Sequence, residues 1–184
     1  GTGFMKSLAD EGLNIHGEKM TLAGAGGAGT AIAIQAALDG VAEISLFNIK
    51  DATWDNAVRN VAIINEKTTC KATLHSLENK DDFKAEIASS AIYCDSTGVG
   101  MKPLEDMTLV EDPTWFHKDM IVYDTVYSPR TTKLMEVAKE AGVNHVFNGL
   151  GMMLEQGAEA FKLWTNEEMP IDYIKSLLFD DVKK

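Results

Sequence analysis

The residues with the clearest capacity for chemistry are six small ones. Gly24-Ala25-Gly26-Gly27-Ala28-Gly29 fits the spacing G-x-G-x-x-G at Gly24, Gly26 and Gly29. In a strand–turn–helix unit that holds a diphosphate, each glycine has its own task. Gly24 permits the tight turn out of the strand. Gly26 has no Cβ, so a diphosphate can approach the backbone, and Gly29 lets the helix pack close to the sheet. The free N–H groups of the first helical turn and the positive end of its macrodipole then hold the anion. The same pattern also occurs as a plain glycine-rich turn. Context favours binding: the strand-like run Lys19–Ala23 precedes the loop, the alanine-rich helix Ala28–Asp39 follows it, and a second strand, Glu43–Phe47, leads to Asn48.

An adenosine ribose would lie at that second strand end. Asp51 stands 22 positions beyond Gly29, near the spacing of about 20 for an acid that accepts hydrogen bonds from ribose hydroxyls. Its carboxylate would repel a 2′-phosphate, which favours NAD as cofactor. Lys50 beside it would tolerate that phosphate, so NADP stays open, and Ile49 occupies a place where a phosphate-reading Arg is expected. The other reading of Asp51 is a solvated cap of the next helix. Elsewhere His16, His75, His117 and His145 lack metal-ligand spacing, so no metal is expected. Cys70 and Cys94 are far apart and read as inert, reduced thiols in a cytoplasmic setting. Met101, Met107, Met120, Met135, Met152, Met153 and Met169 read as core fillers.

The elements that must position these groups alternate along the chain. Strands are expected at Lys71–Leu74, Ala91–Cys94, Met120–Asp124 and His145–Phe147. Helices are expected at Trp54–Lys67, Asp81–Ser89, Thr131–Ala141, Met152–Trp164 and Ile171–Phe179. This alternation implies an α/β fold, Rossmann-like and doubly wound, with a mostly parallel sheet and helices on both faces. Ligands of such sheets bind beyond the carboxyl ends of the strands. The 184 residues, 45% hydrophobic and 24% charged, suit one domain over 1–184 with a full core. A net charge of −11 argues against nucleic acid and anionic membrane as partners. No apolar run reaches the roughly 18 residues of a membrane span, and residues 1–18 lack a signal-peptide pattern. Gly1-Thr2-Gly3-Phe4 reads as the interior of a longer chain, and the terminal Lys183-Lys184 is too short to carry meaning.

Several segments together carry a family resemblance. They are Gly1-Thr2-Gly3-Phe4, Ala25-Gly26-Gly27-Ala28, Phe47-Asn48-Ile49-Lys50-Asp51, the run from Thr97 to Leu104 (TGVGMKPL), Asp124-Thr125-Val126-Tyr127-Ser128-Pro129 and the run from Gly149 to Ala158 (GLGMMLEQGA). In this order they resemble the C-terminal cofactor domain of the shikimate dehydrogenase family. The Asn-x-Lys-Asp strand end and the Val-Gly-Met-Lys-Pro-Leu run are most similar to its quinate/shikimate dehydrogenase branch. The resemblance implies NAD(P)-dependent, reversible oxidation of a ring alcohol of shikimate or quinate to the 3-dehydro ketone. It implies a two-domain enzyme, with the catalytic Lys and Asp in an N-terminal substrate domain outside this chain, and a homodimer is among the assemblies open to it. By position, Ala25, Gly26, Gly27 and Ala28 match the diphosphate loop, and Asn48, Ile49, Lys50 and Asp51 the adenosine ribose contacts. Thr125, Val126, Tyr127 and Ser128 match the segment flanking the nicotinamide, and Gly149 a glycine near its carboxamide. Gln156 matches a substrate-binding glutamine, with Tyr127 as a second substrate contact. Gly98, in the cofactor region, replaces a side chain that is often basic, and Asp95 replaces the usual Asn. A stand-alone, non-catalytic dinucleotide-binding module is the alternative.

Overall fold

A computed structural model describes residues 1–179; the Lys183-Lys184 pair and the end of the 1–184 domain lie outside the described residues. The strands are β1 (Lys19–Ala23), β2 (Glu43–Asn48), β3 (Lys71–Ser76), β4 (Ile92–Asp95), β5 (Ile121–Asp124) and β6 (His145–Phe147). The α-helices are α1 (Thr2–Asp10), α2 (Gly27–Leu38), α3 (Trp54–Lys67), α4 (Lys80–Ala88), α5 (Lys133–Glu140), α6 (Leu150–Thr165) and α7 (Ile171–Phe179). A 3₁₀ turn covers Pro113–Trp115.

The strands form one sheet in the order β3-β2-β1-β4-β5-β6. Every pairing is parallel, so the sheet is wholly rather than mostly parallel. After β1 the chain winds outward to β2 and β3, then returns across the sheet to β4. The topological switch point therefore falls between the carboxyl ends of β1 and β4.

Both faces of the central strands are covered, and each face has its own core. On one, Phe4 and Leu8 of α1, Ile32 and Ala36 of α2 and Ile64 of α3 pack on Met20, Leu22, Ile44, Leu46 and Ile92. On the other, Phe83 and Ile87 of α4 and Leu134, Val137 and Ala138 of α5 pack on Phe47, Tyr93 and Val122. The strand period of two separates the sets: Met20 and Leu22 face the first core, and Ala23 the second. Polar side chains of the buried strands find partners, as in Thr21 Oγ1 with Ser90 Oγ at 2.8 Å and Ser45 Oγ donating to Glu86 at 2.5 Å.

Three features differ from the sequence reading. Helix α1 was not expected, yet Phe4 and Leu8, one turn apart, give it an apolar face that enters the first core, while Gly3 and Ser7 lie against α6. The 3₁₀ turn at Pro113–Trp115 was also unexpected, and Trp115 meets Phe83 edge-on at 5.8 Å. Met101 and Met107 are not core residues. They are 47% and 55% exposed, because the irregular segment between β4 and the 3₁₀ turn has no regular element to bury them. Met120 and Met135 do fill the core. No described helix is long and apolar enough to cross a membrane.

Candidate cofactor site

The site begins where β1 ends. Gly24 takes φ +95°, a conformation that L side chains rarely adopt, and a Cβ there would press on Ser96 at 3.0–3.1 Å. A Cβ on Gly29 would collide with the carbonyl oxygen of Gly24 and come within 2.5 Å of Ser96 Oγ, so only glycine lets α2 start this close to the turn. Gly26 differs from both. A Cβ built on it meets no protein atom within 4 Å, which means its bare face borders open space at the mouth of the turn. Gly26 also caps α2 without a side-chain acceptor, and the first turn carries no acidic residue. The first helical bond runs from Thr30 N–H to Gly26 C=O at 2.9 Å, leaving the N–H groups of Gly27, Ala28 and Gly29 without a helical acceptor. Gly26, Gly27 and Ala28 are exposed, whereas Ala25 is buried in the first core. This arrangement fits a diphosphate: donors, a positive helix end and no side chain in the way.

The end of β2 is bound to that loop. The backbone N–H of Ala25 donates to Asn48 Oδ1 at 3.1 Å. Asn48 Nδ2 donates to Ile49 C=O at 2.9 Å and to Thr53 Oγ1 at 2.8 Å. Thr53 in turn gives its hydroxyl proton to Asp51 Oδ1 at 2.6 Å, and its N–H to the same oxygen at 2.8 Å. Asn48 is buried and committed to the protein, so it acts as a bracket between the loop and the ribose corner. The Thr53 hydroxyl holds the Asp51 carboxyl below the usual carboxylate range. Lys50 sits with its ammonium 5.7 Å from the centroid of the Trp54 ring, a cation–π approach.

On the other side of the switch point two acids close the strands. Asp95 and Asp124 are register partners at the ends of β4 and β5, and both are buried. Asp95 Oδ1 accepts from Thr97 N–H at 2.9 Å and Thr97 Oγ1 at 2.6 Å, and Tyr93 OH donates to Oδ2 at 3.2 Å. Asp124 Oδ1 accepts from Val126 N–H at 2.9 Å, and Oδ2 accepts from Thr132 Oγ1 at 2.6 Å. Burial pushes both carboxyls up, Asp124 to about 6, with the neighbouring Asp95 adding to the rise. Burial likewise pushes the Cys94 thiol well up, which fits an inert residue.

A cleft of about 360 Å³ joins these parts. Gly24, Ala25, Gly26, Asn48, Ile49, Asp51, Thr53 and Gly98 line it, with Ser96, Thr97, Val99 and the apolar Leu77, Leu104 and Leu109. Seven residues singled out in the sequence, Gly24, Ala25, Gly26, Asn48, Ile49, Asp51 and Gly98, thus share one cavity. Gly27 and Ala28 belong to the adjoining first turn of α2. A second group assembles at the end of β5. Gly149 N–H donates to Val126 C=O at 3.0 Å, and a Cβ on Gly149 would stand 2.6 Å from the carbonyl carbon of Thr125. Thr125, Val126 and Gly149 are therefore in contact, while Tyr127 and Ser128 are exposed. At 50% exposure Tyr127 is not a core aromatic. Gln156 is exposed on α6, about two turns beyond Gly149, and does not line the cleft.

Thr53, Thr97 and Ser96 were missed in the sequence. The signal for the threonines was present: Asp51-Ala52-Thr53, Asp95-Ser96-Thr97 and Asp112-Pro113-Thr114 all spell Asp-x-Thr. In each, the acid's Oδ1 accepts both the N–H and the hydroxyl of the Thr two residues on.

Comparison with known proteins agrees with this geometry. Residues 149–179 match the family model described as Shikimate 5′-dehydrogenase C-terminal domain. The shikimate dehydrogenase (NADP(+)) of Streptococcus uberis is 56% identical over 184 residues, which is all of this chain and 62% of that protein. A crystal structure of shikimate 5-dehydrogenase from Listeria monocytogenes in complex with shikimate and NAD is 53% identical with a TM-score of 0.93. The match covers 96% of this chain and 61% of that one. A shikimate dehydrogenase solved with NADP+ is 29% identical with a TM-score of 0.81, over 99% of this chain and 61% of that one. The chain spans about 60% of the length of these relatives. By sequence over its whole length and by the course of its backbone, the chain is similar to the shikimate dehydrogenases, and residues 149–179 match the C-terminal domain of that family.

Proposed function

We propose that this chain is the NAD(P)-binding domain of a shikimate dehydrogenase, whose reaction interconverts shikimate, or quinate, with its 3-dehydro ketone. The observation that carries the reading is the bare face of Gly26 beside the uncapped first turn of α2. Gly26, Gly27 and Ala28 hold the diphosphate, and Asp51 with Ile49 and Lys50 meets the adenosine ribose. Leu77, Leu104 and Leu109 supply the apolar walls that an adenine needs. Thr125, Val126, Tyr127, Ser128 and Gly149 bound the nicotinamide, and Gln156 with Tyr127 meets the substrate. Bound there, the dinucleotide supplies the ring carbon that gives or takes hydride. The acid–base Lys and its partner Asp belong to the remaining part of the longer polypeptide, which holds the substrate against this domain. The two buried, free thiols support a reducing, cytoplasmic setting.

Asp51, held as an anion, favours a free ribose 2′-hydroxyl and hence NAD. The relatives named for NADP(+) keep the second cofactor in view, with Lys50 as the residue that would accept its phosphate. Titration of NADH and NADPH against the chain, followed by fluorescence, tests both points. Gly26→Val should fold as the parent does, because its side chain enters open space, yet should bind either dinucleotide more than ~10-fold more weakly, since it fills the diphosphate position. Equal affinity in parent and variant would remove the loop from the site. Asp51→Ala should weaken NADH and spare NADPH; a parent that prefers NADPH would mean that Lys50 outweighs Asp51.

A further inference from the structure

The hydrogen bonds at the ribose corner have a fixed direction. A backbone N–H can only donate, so the bond from Ala25 identifies the Asn48 atom facing the loop as Oδ1. Asn48 Nδ2 must then point the other way, where it donates to Ile49 C=O and Thr53 Oγ1. A hydroxyl that accepts from an amide there has its single proton left for another acceptor, and that acceptor is Asp51 Oδ1 at 2.6 Å. With the Thr53 N–H as second donor, Oδ1 is engaged by the protein, and ribose recognition falls to Oδ2. The chain of bonds thus starts at the diphosphate loop and ends by orienting the acid that reads the ribose.

We propose that Thr53 is a positioning residue for cofactor choice: acting through Asp51, it sets how strongly the protein separates a free ribose 2′-hydroxyl from a 2′-phosphate. The inference rests on the reading that this cleft takes NAD(P). Thr53 lines the cleft, but both of its donors, the hydroxyl and the N–H, are given to Asp51 Oδ1. It fixes the rotation of the Asp51 carboxylate and supports its charge, which is consistent with the lowered proton affinity of that group. Without the hydroxyl, Asp51 would meet the 2′-hydroxyl less often and repel a phosphate less.

The test is to measure Kd for NADH and for NADPH in the full chain and in Thr53→Val, Thr53→Ala and Thr53→Ser, with circular dichroism to confirm folding. Val keeps the shape of Thr and loses the donor. Ala provides the same loss without the β-branch, should Val disturb the loop. Both should weaken NADH by ~5- to 10-fold, the scale of one charge-assisted hydrogen bond, and change NADPH less than about 2-fold. The ratio of Kd for NADPH to Kd for NADH should therefore fall, and Thr53→Ser should restore it. A residue that is merely structural would weaken both dinucleotides in proportion, and that result, or failure of Ser to restore the ratio, overturns the proposal. A parent chain that binds neither dinucleotide overturns the cofactor reading and this inference with it; a parent that binds them with a ratio insensitive to Thr53 overturns the inference alone.

Discussion

At the scale of single residues, Asp124 is the side chain whose behaviour should be most visible from outside. Its ordinary carboxyl value is 3.8 and burial raises it to about 6. Below pH 3.8 the group is protonated whether the chain is folded or unfolded, and it makes no difference to stability. As pH rises from 3.8 to 6, the unfolded chain loses the proton while the folded chain keeps it, so stability falls. Above 6 the loss is complete, at about 3 kcal/mol on the scale of 1.36 kcal/mol per pKa unit. Asp124→Asn cannot ionise. Its amide still accepts from Val126 N–H, and the altered bond to Thr132 costs an amount that does not vary with pH. Urea unfolding should therefore show the variant gaining on the parent by up to about 3 kcal/mol between pH 4 and pH 7.5. Parallel pH curves would show that Asp124 is not held neutral. The residue scale is also where the sequence was least complete. Gly24, Gly26 and Gly29 were legible because each answers to a single backbone constraint. The bracket role of Asn48 was not, because it depends on which amide the end of β2 happens to face, a matter of register between two strands.

Among the elements, α6 shows how a helix is aimed. Its opening N–H groups are met from outside: Asn48's counterpart at this end, Asn148, accepts the Leu150 N–H at 3.1 Å, and Tyr123 OH accepts the Met152 N–H at 3.2 Å. Tyr123 also bonds Ser7 Oγ of α1 at 2.9 Å and meets Phe4 edge-on at 4.9 Å. One buried hydroxyl on β5 thus ties both α1 and α6 to the sheet. Gly3 completes the seam, since a Cβ there would lie 2.7 Å from Met152 O and 2.8 Å from Gln156 N. Tyr123→Phe should cost about 1–3 kcal/mol in chemical denaturation, because the Met152 N–H loses its acceptor and Ser7 Oγ keeps only its bond to Phe4 C=O. It should leave NADH affinity at the Asp51 side unchanged. A loss under 0.5 kcal/mol would mean water replaces the hydroxyl. Strand and helix existence was legible from short apolar runs, and β1, β6, α3 and α7 fall on the expected residues. Helix α1 escaped because Phe4 and Leu8, read without the core they enter, are too few to declare a period.

For the whole molecule, the fold class followed from alternation, but the strand order did not, because nothing local marks where a chain reverses its winding. The order observed pairs Met20 of β1 with Ile44 on one side and with Ile92 on the other, separations of 24 and 72 residues. Exposed apolar side chains gather at the far end of α6 and on α7, where Leu163, Trp164, Tyr173 and Leu177 stand out. In the proposed two-domain enzyme this is surface for the remaining polypeptide to cover, so an excess of that separate part should protect Trp164 from a fluorescence quencher. Unaltered quenching would place the domain contact elsewhere.

The long pairing of β1 with β4 has a kinetic corollary. The binding crevice is encoded in separate stretches, before residue 30, near residue 50 and from about residue 95 onward, so it cannot recruit a nucleotide as a whole until about seventy positions between β1 and β4 have closed into a loop. A coenzyme present during refolding should then leave the rate of the forward reaction untouched and lengthen the lifetime of the finished protein, lowering only the unfolding arm of a stopped-flow chevron.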